Sequence, residues 1–318
     1  MDLLSWGLVF GTGFALYEGL TIIATQVDRV FRTWRKLQDN NKLEGYKIKH
    51  KEATETGLRL TIDIPIGGST KSLEDNKEAI QKAYNCNALI RDIPFSNKAE
   101  IELITKELKE LDYRFIELPG TKLLIGYDYK GAPIIADMLE APHLLLTGLS
   151  GQGKTGMLRV MIKSLADNGK SDIILLNGFI DDYRGFNIRH ITNHDDIKNF
   201  IEEQLESINN EINRTRPLYV IFEELGKVKD KELINLTTKL LQYGRHNMIY
   251  LIGVIQTATK EELKFKTMFN ARCTFKQLEE SSYRVVLGCG VDDKLQKREF
   301  YLYTNDLYKG KTYKLDFN

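Results

Sequence analysis

The run Gly148-Leu-Ser-Gly-Gln-Gly-Lys154-Thr155 constrains this chain more than any other stretch, because it is a complete GxxxxGK[ST] element. His143-Leu-Leu-Leu-Thr147 before it is a short apolar run, as expected of a buried parallel strand. After it, Leu158, Met161, Ile162 and Leu165 recur at helical spacing. The pattern predicts a strand, a glycine loop and a helix in succession. Glycines let the loop amides turn inward on phosphate groups, and the helix N-terminus adds a favourable dipole. The loop residues Gly148, Leu149, Ser150, Gly151, Gln152, Gly153, Lys154, Thr155 and Gly156 are therefore expected to bind ATP. Lys154 would reach the β- and γ-phosphates, and the Thr155 hydroxyl would ligate Mg2+.

A phosphate loop of this kind needs a carboxylate on a second strand. Leu218-Tyr-Val-Ile-Phe222 is apolar and β-prone, and Glu223-Glu224 follows at its C-terminal end, where α/β proteins place their ligand sites. Glu223 is expected to hold Mg2+ through water, and Glu224 to act as general base on the attacking water. A third strand, Met248–Ile255, ends in Gln256, whose amide is placed to sense the γ-phosphate or orient water. Upstream, Tyr243-Gly-Arg245-His246 offers a cation that in a ring would reach a neighbour's nucleotide, or would serve as a surface ion-pair partner. Arg272 and Arg284 are further candidates for that trans role.

The length of 318 residues leaves room for about two domains. A net charge of +1 gives no global basic field of the kind that announces a nucleic-acid binder. Cys86, Cys273 and Cys289 have no metal-ligand spacing and fit a reducing compartment, so no zinc site is expected.

Residues 1–37 look like a membrane-associated helix with a basic flank. Leu3–Val27 is apolar apart from Glu18 and a few small polar residues, and is long enough for a bilayer span. Arg29, Arg32, Arg35 and Lys36 follow it, which by the positive-inside rule puts the rest of the chain in the cytoplasm. Gly7 and Gly11 would let two such helices approach closely. Glu18 costs about 2.5–3.5 kcal/mol at mid-span, so a helix lying on the membrane, or packed on protein, stays an alternative.

Residues 38–117 are expected to form a small α/β adaptor domain. Tyr46–Lys51 and Leu58–Ile66 alternate as half-buried strands do. Ser72-Leu-Glu-Asp75 resembles an N-cap opening a helix that runs through Tyr84, and a charged helix is expected over Lys98–Leu111. Residues 118–318 would be the motor.

The motif order resembles FtsK/SpoIIIE-type DNA translocases. Ala132-Pro-Ile-Ile-Ala-Asp137-Met-Leu-Glu-Ala-Pro142-His143-Leu-Leu-Leu is similar to the segment that leads into that family's phosphate loop, with its D-L-x-x-x-P-H-L-L spacing. Gly244-Arg245-His246-Asn247-Met248-Ile249-Tyr250-Leu251 with Gln256 looks like its G-R-A-x-G-I-H-L…T-Q motif. Asn270–Phe275 and Ser282–Gly288 continue the likeness, which covers roughly residues 118–305. Departures are Glu223 in place of Asp, Asn177-Gly178 in place of Asp-Pro-Lys, and Ile255-Gln256-Thr257-Ala258 in place of Thr-Gln-Arg-Pro.

The resemblance implies a RecA-like P-loop NTPase motor with a parallel central sheet, assembled as a hexameric ring with ATP between subunits. Double-stranded DNA would thread the channel with little sequence preference, needing positive charge only there. No winged-helix sequence reader is expected beyond Asn318, so the chain looks more like a coupling or transfer ATPase of a conjugative element, with a relaxase or secretion channel as partner. Two rivals remain: an FtsK-like motor for protein secretion, and a membrane scaffold that nucleotide locks without pumping.

Overall fold

The computed structural model describes residues 29–41, 43–54, 56–105, 108–256, 265–289, 291 and 295–315. The stretch Leu3–Val27 lies outside them. No helix among the described residues is long and apolar enough to cross a membrane. The chain divides into two units, 1–107 and 108–318.

The first unit opens with helical residues 29–40 (α1) and carries a four-stranded antiparallel sheet in the order β1-β2-β4-β3. Its strands are β1 (Lys47–Ala53), β2 (Gly57–Asp63), β3 (Asn87–Asp92) and β4 (Lys98–Ile104), with helices α2 (Thr70–Asp75) and α3 (Lys77–Tyr84) between β2 and β3. Two expectations are corrected here. Lys98–Ile104 is a strand, not the start of a helix, because Ala99, Ile101 and Leu103 alternate with polar side chains and fill the core beside Leu60 and Ile62. The helix expected through Tyr84 is broken at Asn76, whose amide donates to the Ser72 carbonyl at 2.8 Å. Trp34 and Leu37 of α1 close the core, and the Trp34 indole donates to the Tyr46 carbonyl at 2.8 Å.

The second unit is built on one ten-stranded sheet. Its strands are β5 (Lys122–Tyr127), β6 (Pro133–Asp137), β7 (Leu144–Thr147), β8 (Asp172–Leu176), β9 (Arg189–Ile191), β10 (Leu218–Phe222), β11 (Ile249–Ile255), β12 (Ala271–Thr274), β13 (Glu299–Tyr303) and β14 (Leu307–Lys311). The order is β6-β5-β14-β13-β12-β7-β11-β10-β8-β9. From β12 to β9 every pairing is parallel, and β13, β14, β5 and β6 extend the sheet antiparallel.

Helices cover both faces, as a parallel sheet requires. Along β10, Leu218, Val220 and Phe222 face the core under α5 (His194–Asn209), α6 (Lys231–Tyr243) and α7 (Glu280–Leu287). Tyr219 and Ile221 face the opposite core, under α4 (Lys154–Asn168). Strands buried on both sides read as continuous apolar runs, which is why β7, β10 and β11 stand out in the sequence.

His143, just before β7, is 1% exposed and adopts φ +63°. Its Nδ1 accepts from the Leu251 N–H at 2.9 Å and so ties the entry of β7 to β11. Burial pushes its pKa down to about 4, so the ring is neutral at pH 7.

Candidate nucleotide site

Adjacent parallel strands deliver the site residues to one edge of the sheet. β7 ends in Thr147 and turns into the glycine loop, β11 ends at Gln256, and β10, on the far side of β11, ends at Glu223-Glu224. A cleft of about 370 Å3 opens between them, lined by Ser150, Gly151 and the Gly153–Gly156 stretch of the loop together with Asp182, Glu223, Glu224 and Gln256.

The loop needs its glycines. Gly148 adopts φ +138°, and a Cβ there would lie 2.7 Å from the Cβ of Phe275. Gly153 adopts φ +122°, with the Phe275 ring and the Arg298 backbone at 3.0 and 3.1 Å from a Cβ. α4 starts at Lys154 with no side-chain cap, so its first N–H groups meet no capping oxygen. The Lys154 ammonium folds back over the loop and donates to the carbonyls of Gly148 and, at 2.9 Å, Leu149. Burial lowers its pKa, against the opposing charge of Glu223.

Outer contacts brace the loop. The Leu149 N–H donates to the Lys276 carbonyl at 3.0 Å, and the Arg298 N–H donates to the Gln152 carbonyl at 2.8 Å. Beneath it, the buried Gln277 amide donates to the hydroxyls of Thr147 (3.0 Å) and Thr274 (2.8 Å).

The two glutamates have separate surroundings. Glu223 is half-buried, and its Oε1 accepts from the Tyr183 hydroxyl at 2.6 Å. Burial raises its pKa, and the charges of Asp182 and Glu224 add to that; the Tyr183 hydroxyl and the Phe179 N–H act against it. Burial and the adjacent Glu223 carboxylate push the Tyr183 pKa up, so this phenol stays a donor. Glu224 adopts φ +52°, and its Oε1 accepts from Lys227 at 2.6 Å and from the Gln256 amide at 3.2 Å.

This set fits a nucleotide with a hydrated magnesium ion. An uncapped helix start behind a glycine cradle suits phosphates. Among the described residues no three His, Cys, Asp or Glu side chains converge. The cleft instead offers the hydroxyls of Ser150 and Thr155 and the carboxylates of Asp182, Glu223 and Glu224, the oxygen donors that Mg2+ takes alongside phosphate and water.

The structure brings Lys154, Thr155, Glu223, Glu224 and Gln256 together. It does not bring Arg245 to them. Arg245 lies in the turn Gly244–Asn247 before β11, at the opposite end of the strands, where its charge acts on His143. Arg272, whose Nε donates to the Phe269 carbonyl at 3.0 Å, and the exposed Arg284 also lie outside the cleft. Tyr183, Gln277 and Arg298 are not legible as site residues, because they reach Glu223 or the loop from segments with no motif of their own.

Comparison with known proteins places this geometry. Residues 136–286 match the family model described as Poxvirus A32 protein. The chain is 25% identical over 243 residues to the DNA translocase FtsK of Staphylococcus aureus (strain Mu50), a match covering 63% of this chain and 31% of that protein. It spans less than a third of the length of the FtsK relatives it matches. In fold it is similar to the conjugation coupling protein TcpA of pCW3 solved with ATPγS, with a TM-score of 0.59 and 16% identity, covering 90% of this chain and 95% of TcpA. It is also similar in fold to the cytoplasmic domain of the type VII secretion ATPase EccC of Thermomonospora curvata, with a TM-score of 0.52 and 18% identity, covering 64% of this chain and 30% of EccC. In sequence the chain thus resembles FtsK-type DNA translocases, and in fold it resembles the TcpA coupling protein and the EccC ATPase.

Proposed function

We propose that this chain is an ATP-driven DNA translocase whose chemistry takes place in the cleft between the phosphate loop and Glu223-Glu224. The observation that carries the reading is the Gln256–Glu224 hydrogen bond in the same cleft that Lys154 and Thr155 line. Lys154 binds the β- and γ-phosphates and exchanges its loop carbonyls for them. The Thr155 hydroxyl and Glu223 would hold a hydrated Mg2+, which when bound would supply charge neutralisation on the phosphates. Glu224 takes the proton from the attacking water, and Gln256 orients that water or senses the γ-phosphate.

The finer picture rests on family likeness. A hexameric ring threaded by double-stranded DNA, with Arg245, Arg272 or Arg284 reaching a neighbour's nucleotide, follows the family pattern. Arg245 at the far end of the strands suits a role in trans better than one in its own cleft. The nearly full-length fold likeness to a conjugation coupling protein supports DNA transfer at a membrane, with residues 3–27 as the anchor, residues 38–117 as adaptor and the motor in the cytoplasm.

The test is ATP hydrolysis by the full chain with and without linear double-stranded DNA, beside Lys154→Ala and Glu224→Gln. The reading expects DNA to raise turnover several-fold and both substitutions to abolish it. Turnover that ignores DNA and responds to a protein substrate would favour the secretion reading, to which the likeness to EccC lends its fold.

A further inference from the structure

Glu223 stands where the family pattern has Asp, so its carboxylate sits on an arm one methylene longer, with one more torsion to hold. The turn Ile180–Tyr183 after β8 lies against it. Tyr183 is 3% exposed, and its hydroxyl donates to Glu223 Oε1 at 2.6 Å, the separation usual for a hydroxyl donating to a carboxylate. The same segment adds a second hold, since the Asn177 amide donates to the Glu223 carbonyl at 3.3 Å. At the end of β8, next to Asn177, the Leu176 carbonyl accepts from the Glu223 N–H at 3.0 Å. Asn177–Tyr183 thus grips both the backbone and the carboxylate of one residue, and it is this segment that departs from Asp-Pro-Lys.

We propose that Tyr183 is a positioning residue for Glu223, committing one carboxylate oxygen to the protein so that the longer side chain meets the nucleotide-bound metal ion in a single orientation. The inference rests on the reading of Glu223 as a magnesium-site residue. Donors that orient a metal-site carboxylate commonly matter about 10–100-fold in metal affinity. Phe in place of Tyr183 keeps the ring and its packing against the core around Leu175 and removes only the hydroxyl.

The experiment uses the full chain loaded with a non-hydrolysable ATP analogue and reads Mn2+ binding by electron paramagnetic resonance, so that no turnover is needed. Tyr183→Phe is expected to weaken Mn2+ binding about tenfold while leaving metal-free nucleotide affinity unchanged. Glu223→Gln is expected to weaken Mn2+ at least as much, and adding Tyr183→Phe to it should change nothing further. Tyr183→His, which keeps a ring N–H donor, should bind Mn2+ more tightly than Tyr183→Phe. Equal losses from Tyr183→Phe in wild type and in the Glu223→Gln variant would overturn the inference, as would unchanged Mn2+ binding in Tyr183→Phe. If Glu223→Gln itself leaves Mn2+ binding intact, the magnesium-site reading of Glu223 fails, and the role of Tyr183 fails with it.

Discussion

Gln256 donates its side-chain amide to Glu224 Oε1 at 3.2 Å, joining the tips of two neighbouring parallel strands, β11 and β10. The contact links the group proposed to take a proton with the group proposed to place the water that gives it. Both line the same cleft as Lys154.

That pairing predicts non-additive kinetics. Glu224→Gln should lower kcat about 10²–10⁴-fold with ATP affinity retained, the range for loss of a general base. Gln256→Ala should lower kcat on its own yet add little to Glu224→Gln. Steady-state turnover of the two single variants and the double variant checks this, and fully additive losses would show that the two side chains act apart.

The cradle itself is sensitive to one methyl group. Gly148→Ala places a Cβ 2.7 Å from Phe275 at a φ of +138°, which an L side chain rarely adopts. The expected cost is about 1–3 kcal/mol, together with weakened nucleotide binding. Denaturant unfolding and nucleotide titration measure the two effects separately.

Beneath the loop, Gln277→Leu should leave the fully buried hydroxyls of Thr147 and Thr274 without their amide donor. A loss of about 1–3 kcal/mol is expected. The melting midpoint should rise by the same increment on adding saturating nucleotide in wild type and variant, if Gln277 supports the strand ends without touching the ligand.

His143 makes stability depend on pH. Its pKa falls from 6.5 in the unfolded chain to about 4 when buried, so the unfolded state takes up the proton first. The stability tied to this residue is fully present above pH 6.5 and is lost as pH falls toward 4, by about 3 kcal/mol in all. Unfolding free energies of wild type and His143→Gln, subtracted across pH 4–7, should isolate that slope. A pH-independent difference would mean that the ring is not held neutral by burial.

The legible parts of the molecule are those whose signal is local. The glycine loop, Leu218–Phe222 with its two glutamates, and the strand leading to Gln256 are contiguous, and burial on both sheet faces makes their strands unbroken apolar runs. Lys98–Ile104 misled because Lys and Glu favour helices, although alternate Ala99, Ile101 and Leu103 carry the strand period. Tyr183, Gln277 and Arg298 were hidden for a different reason. Each reaches the loop or Glu223 from a distant stretch, and nothing in the residues around it encodes that meeting.

The central claim is that ATP hydrolysis in this cleft moves DNA. Displacement of a fluorescent triplex-forming strand from linear double-stranded DNA by the full chain tests it most directly. The account predicts displacement with ATP, and none with a non-hydrolysable analogue or with Lys154→Ala. ATP turnover at full rate on the same DNA without displacement would contradict it.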